Sequence, residues 1–200
     1  MTISLASYRQ PARPSGGKPG EDVAPPVPAA PLRLVPQAEG LLQVHTAPFR
    51  GSVASVFSQA IRSAGLGSRV LVSQFLRGGV DQGVQGSLEL CGRLQWLRPA
   101  TLLCIEQPLT SLDPAEAEQL RLCVADVWDY SRDRLLAGNV DLLVLDELGL
   151  ALEWGYLEPE EVRATLERRP AHLDVILTGP AMPPVLLAMA DQVTQLRRCA

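Results

Sequence analysis

Val140-Asp141-Leu142-Leu143-Val144-Leu145-Asp146-Glu147 is the stretch on which the fold turns, a nearly continuous apolar run that ends in two carboxylates. Apolar side chains at consecutive rather than alternate positions fit a strand covered on both faces, as in a parallel sheet between helices. The run is preceded by a strong helical pattern. Asp113 reads as an N-cap, Pro114 as the first helical position and Glu116 as a capping-box partner. Leu120, Val124, Val127, Trp128 and Leu135 then follow one face until Gly138 closes the helix. Beyond the run, Pro159, Glu160 and Glu161 open a further helix that ends at Arg168-Arg169, with charges placed to suit the macrodipole.

The same alternation extends in both directions. Residues 41–45, 69–75, 93–97, 173–177 and 192–196 read as strands. Val53, Val56, Phe57, Ala60, Ile61 and Ala64 recur at helical spacing, with Gly65 placed as the left-handed residue that ends the helix. Residues 183–190 form a short helix, and Gly78, Gly79, Gly83 and Gly86 mark a long polar loop. This order predicts an α/β fold with a mainly parallel sheet flanked by helices.

Residues 1–38 differ from the rest. They hold eight of the 17 prolines, with Gly16, Gly17 and Gly20 among them and few large apolar residues. Such composition cannot offset its ordering entropy, so a disordered Pro-rich tail is expected before an α/β domain at 39–200. The bland reading of the tail is a solvated linker, and the sharper one a docking arm for a protein partner. A net charge of −4 argues against a strongly basic nucleic-acid binder. No apolar run approaches the ~18 residues of a membrane helix, and the N-terminus lacks a secretory apolar core. A cytoplasmic location without membrane partners follows as the expectation. The four cysteines have no C-x-x-C spacing and the two histidines lie far apart, which argues against a zinc framework.

In open parallel sheets ligands bind beyond the carboxyl ends of the strands. Three such ends carry candidates: Thr46, Arg50, Gly51 and Ser52 after the first strand, Asp146 and Glu147 after the central one, and Thr178 and Gly179 after the fifth. The first is a loop that opens a helix, the geometry of a phosphate site. The second has the form of a carboxylate pair that holds Mg²⁺ or its waters. The loop, however, departs from G-x-x-x-x-G-K-[ST]. Ser52 stands where Lys belongs, Val53 replaces the hydroxyl, and Pro48 removes a backbone donor. The only lysine of the 18 basic residues, Lys18, lies in the tail.

Together these segments resemble the P-loop corrinoid adenosyltransferases. The resemblance runs from Leu41 to Arg197 and rests on Val44-His45-Thr46, Val72-Ser73-Gln74-Phe75-Leu76-Arg77-Gly78, Leu145-Asp146-Glu147-Leu148, Val175-Ile176-Leu177-Thr178-Gly179 and Ala190-Asp191-Gln192-Val193. It implies a P-loop NTPase (RecA-like) architecture and transfer of the 5′-deoxyadenosyl group of ATP to a Co(I) corrinoid. It also implies ATP with Mg²⁺, nucleotide and corrinoid as ligands, and a homodimer. Asp146 and Glu147 would then be the catalytic, metal-side carboxylates. Thr46, Arg50, Gly51, Ser52, Thr178 and Gly179 would line the nucleotide. The residues between 98 and 113 lack the family's Thr-Trp pair. Two functional readings follow. The residues favour a divergent member with impaired or lost catalysis and a binding or regulatory role; the alternative is an active enzyme in which Arg50 replaces the lysine. In the structural reading, Asp146-Glu147 is a solvated loop start or a helix cap, Arg77-Gly78-Gly79 a turn and His45 a structural residue rather than a metal ligand.

Overall fold

A computed structural model describes residues 39–51, 53–79 and 83–197. The tail expected at 1–38, and Ser52, lie outside the described residues.

The strands are β1 (Leu42–Thr46), β2 (Val70–Gln74), β3 (Leu88–Leu90), β4 (Leu94–Leu97), β5 (Leu142–Asp146), β6 (Asp174–Thr178) and β7 (Gln192–Gln195). They form one sheet in the order β3-β4-β2-β5-β6-β1-β7, parallel throughout except for the β3–β4 pair. The stretch that opened the sequence argument becomes β5, buried at all five positions and hydrogen-bonded to β2 and β6. Register places Gln74 opposite Asp146, so the polar ends of two central strands coincide.

The helices are α1 (Ala54–Gly65), α2 (Pro114–Ala137), α3 (Leu148–Glu153), α4 (Pro159–Glu167) and α5 (Pro184–Met189). One face of the sheet packs Leu71, Leu143, Leu145, Val175 and Leu177 against α2, α3 and α4. The other packs Val70, Val72, Leu142, Val144 and Ile176 against α1 alone. Alternate residues of β5 thus serve opposite cores, which is why its sequence is apolar without a break. No described helix is long and apolar enough to cross a membrane.

Local signals act as their chemistry dictates in α2. The Asp113 carboxylate accepts from the Ala115 N–H at 3.1 Å, and Gly138 adopts φ 62° at the C-cap. Buried Ser131 hydrogen-bonds Ser73 of β2 at 2.7 Å and returns to the Val127 carbonyl. In α1 only Val56, Ala60 and Ala64 are buried, a single i, i+4, i+8 stripe; Ile61, expected on that face, is 53% exposed. The left-handed residue after α1 is Gly67, φ 106°, because the helix runs through Gly65 and caps at Leu66.

Candidate functional site

The carboxyl ends of β2, β5 and β6 and the loop after β1 converge on Asp146 and Glu147. Asp146 is buried, and its carboxylate accepts from Gln74 Nε2 at 2.7 Å and Thr178 Oγ1 at 2.6 Å. Burial pushes its pKa above the ordinary aspartate value, against the opposing pull of those two hydrogen bonds. Gln74 is held in this orientation because its Oε1 accepts from Trp96 Nε1 and Arg98 Nε, both at 2.9 Å. Trp96 in turn stacks on Phe57 of α1 at 5.2 Å between ring centroids.

Glu147 follows in a left-handed conformation, φ 58°, unusual for a residue with a Cβ. This turn lets its N–H donate to Thr178 Oγ1 at 3.1 Å. The same tight approach explains Gly179: a Cβ there would lie 2.9 Å from the Glu147 Cα. The Glu147 side chain, only 2% exposed, is taken up by arginine. Arg50 Nε and Nη2 each donate to one carboxylate oxygen at 2.8 Å, a bidentate fork. Arg50 Nη1 donates to the Ile105 carbonyl at 3.0 Å, and the guanidinium sits 5.4 Å from the centre of the Trp154 ring. Arg77 approaches the same carboxylate at 3.6 Å and lies across Gly51, where a Cβ would come within 2.8 Å of its Nη2.

Of the residues singled out from sequence, Arg50, Gly51, Asp146, Glu147, Thr178 and Gly179 therefore meet in one polar cluster. Thr46 stands apart, bordering an open hollow of about 590 Å³ with Pro48, Pro180 and Arg197. Ser52 lies outside the described residues. Glu147 occupies the N-cap position of α3 but makes no side-chain cap bond, so the helix-cap reading of this pair does not describe it. His45 is half-buried in β1, with its pKa lowered by burial and its Nε2 unpartnered among the described residues. Sequence reasoning placed none of Gln74, Arg77, Arg98, Ile105 and Trp154 at the site. Gln74 and Arg77 sit in a segment that carried the resemblance, which was the available signal.

These groups are a poor fit for a Mg²⁺-triphosphate. Both oxygens of Asp146 are committed to neutral donors and both of Glu147 to Arg50. Val53, at the hydroxyl position of a phosphate loop, is 5% exposed in the α1 core. A cation would have to displace a bidentate guanidinium to reach Glu147.

A parallel sheet with a β1–loop–α1 opening and a carboxylate pair at the end of β5 defines a P-loop-type α/β protein. Comparison with known proteins narrows the class. The chain matches the family described as ATP:corrinoid adenosyltransferase BtuR/CobO/CobP over residues 38–200 and belongs to it. It is 33% identical over 161 residues to corrinoid adenosyltransferase CobA of Salmonella typhimurium, covering 80% of this chain and 78% of that one. It is 31% identical over 167 residues to a corrinoid adenosyltransferase of Pseudomonas aeruginosa, with 78% and 74% covered. The corresponding protein of Escherichia coli K12 is 30% identical over 158 residues, with 79% and 76% covered.

Proposed function

We propose that this chain keeps the scaffold of the corrinoid adenosyltransferases as a binding or regulatory module, with ATP-dependent adenosyl transfer impaired or lost. The observation that carries this reading is the bidentate Arg50–Glu147 pair. The alternative, an active enzyme that uses Arg50 in place of the lysine, needs that guanidinium free. All three of its nitrogens are instead engaged, by Glu147 and by the Ile105 carbonyl. Loss of Lys and hydroxyl from the loop acts in the same direction, since each removes charge or metal contact from bound phosphate. In this reading Asp146, Glu147, Thr178 and Gly179 form the polar centre that ties β5 to β6, and residues 1–38 are the arm that docks a protein partner.

Calorimetric titration with ATP and Mg²⁺ tests the proposal, alongside an assay for adenosylcobalamin formed from cob(I)alamin. No saturable binding below about 1 mM is expected, a ceiling of roughly −4 kcal/mol, and no product. Mg²⁺-dependent binding in the micromolar range, or turnover, overturns it.

A further inference from the structure

At the other end of the sheet the amino ends of β2, β4 and β5 and the last turn of α2 enclose a hollow of about 230 Å³. It lies roughly 16 Å from Asp146, the length of a five-residue strand. Its walls carry three arginines from three different segments: Arg69 before β2, Arg93 before β4 and Arg134 on α2. Two acids stand near them. Asp141 is consumed by Arg69, whose Nη2 and backbone N–H it binds at 2.8 and 2.7 Å. Glu89, on β3 at the rim, makes no ion pair among the described residues.

Arg93 and Arg134 form no ion pair among the described residues either. Arg134 is nevertheless fixed. It donates to Tyr130 Oη at 2.6 Å and stacks 4.9 Å from the centre of that ring. Tyr130 Oη donates to Gln95 Oε1 at 2.8 Å, and Gln95 Nε2 to Ser87 Oγ at 2.8 Å. A chain of neutral groups thus holds a half-buried guanidinium in place without supplying a counter-charge. A cation removed from water is normally paired, and the fork geometry of guanidinium suits a planar or tetrahedral oxyanion. With Asp141 and Glu89 set against the three arginines, the hollow keeps a net positive charge.

We infer that this hollow is a binding site for the oxyanion of a small metabolite, a phosphate monoester or a carboxylate, gripped between Arg93 and Arg134. The site is independent of the Arg50–Glu147 cluster and of what that cluster does. The anion adds the counter-charge that Arg134 lacks, and the rigidity of the Tyr130–Gln95 chain means little ordering is needed on binding.

Titration of the full chain, labelled with ¹⁵N at arginine, with inorganic phosphate and separately with malonate tests the inference. Saturable shifts of the Arg93 and Arg134 Nε resonances are expected, with affinity weakened tenfold or more in Arg93→Gln and in Arg134→Met. Tighter phosphate binding assigns a phosphate monoester and tighter malonate binding a carboxylate; both support the site. Arg93 is exposed, so its replacement tests the site without threatening the fold. The inference is overturned by the absence of saturable shifts with either anion, by binding that Arg93→Gln leaves unchanged, or by shifts confined to Arg50 and Arg77.

Discussion

Replacing Arg50 with Gln isolates the contact on which the functional reading depends. The Glu147 side chain is 2% exposed and receives two hydrogen bonds at 2.8 Å from a guanidinium that is itself 28% exposed. Removing one partner of a buried pair costs about 3 to 5 kcal/mol, chiefly because the other charge is stranded. Arg77 remains 3.6 Å away and keeps part of the compensation. The expected loss is therefore about 2 to 3 kcal/mol, or a fall in Tm of roughly 5 to 10 °C for a domain of this size. Glu147→Gln should cost less, about 1 kcal/mol, since Arg50 can turn partly to water. The double variant should show a coupling of about 1 to 2 kcal/mol. Urea unfolding followed by far-ultraviolet circular dichroism measures all three, with an unchanged m-value as the check that the unfolded state is the same. A loss below about 0.5 kcal/mol in Arg50→Gln, the level of an ordinary surface substitution, would show that Glu147 is not stabilised by this fork and would remove the support for a closed site.

Three further outcomes follow from the geometry. Ser52→Lys with Val53→Thr should raise affinity for Mg²⁺-ATP only when Arg50 is also replaced by Gly; an equal gain with Arg50 in place would mean that the pair is no barrier. Gly78→Ala should destabilise by more than about 2 kcal/mol in thermal melts, since its Cβ would lie 1.9 Å from the Leu103 carbonyl oxygen and neither backbone can move freely. A melting temperature equal to the parent's would show that the 101–107 segment is not packed there. Asp141 is held below the ordinary aspartate range, first by its hydrogen bond from Arg69. Its contribution is present above the unfolded value near pH 4 and is lost as pH falls through the lowered folded value. Asp141→Asn should therefore flatten the acid limb of stability below about pH 4, by less than about 1 kcal/mol because both partners are exposed, and less still at high salt. An acid limb as steep in the variant as in the parent contradicts the assignment.

Much of the sheet was legible because its signals are local or periodic. β5 announced itself through five buried positions in a row, and α2 through Asp113, Pro114 and Gly138. Two elements carried no such signal. β3 is three residues long and exposed at each of them, so it has no alternation to detect and exists through its antiparallel pairing with β4. α3 follows β5 directly, separated by Glu147 alone, and its Leu-Gly-Leu-Ala-Leu sequence prolongs the apolar run without a capping side chain. The site was legible in part. Its carboxylates and loop could be located by strand order, but Arg50 and Glu147 lie 97 residues apart, and no local pattern announces a bidentate contact across that distance. Arg50 was weighed as a cation for phosphate, whereas the structure spends it on a carboxylate.

Arg50 also ties its own loop after β1 to three segments that the chain supplies at very different times: the connection before α2 at Ile105, the residue after β5 at Glu147 and the C-cap of α3 at Trp154. None of these contacts is close in sequence, and closing such loops costs entropy before any contact rewards it. The fork can therefore form only after the central strands have docked, which makes it a late event in folding. Interactions absent from the transition state leave the folding rate alone and act on the rate of unfolding. On that account the Arg50–Glu147 pair works as a clasp, setting how long the native state lasts rather than how quickly it is reached.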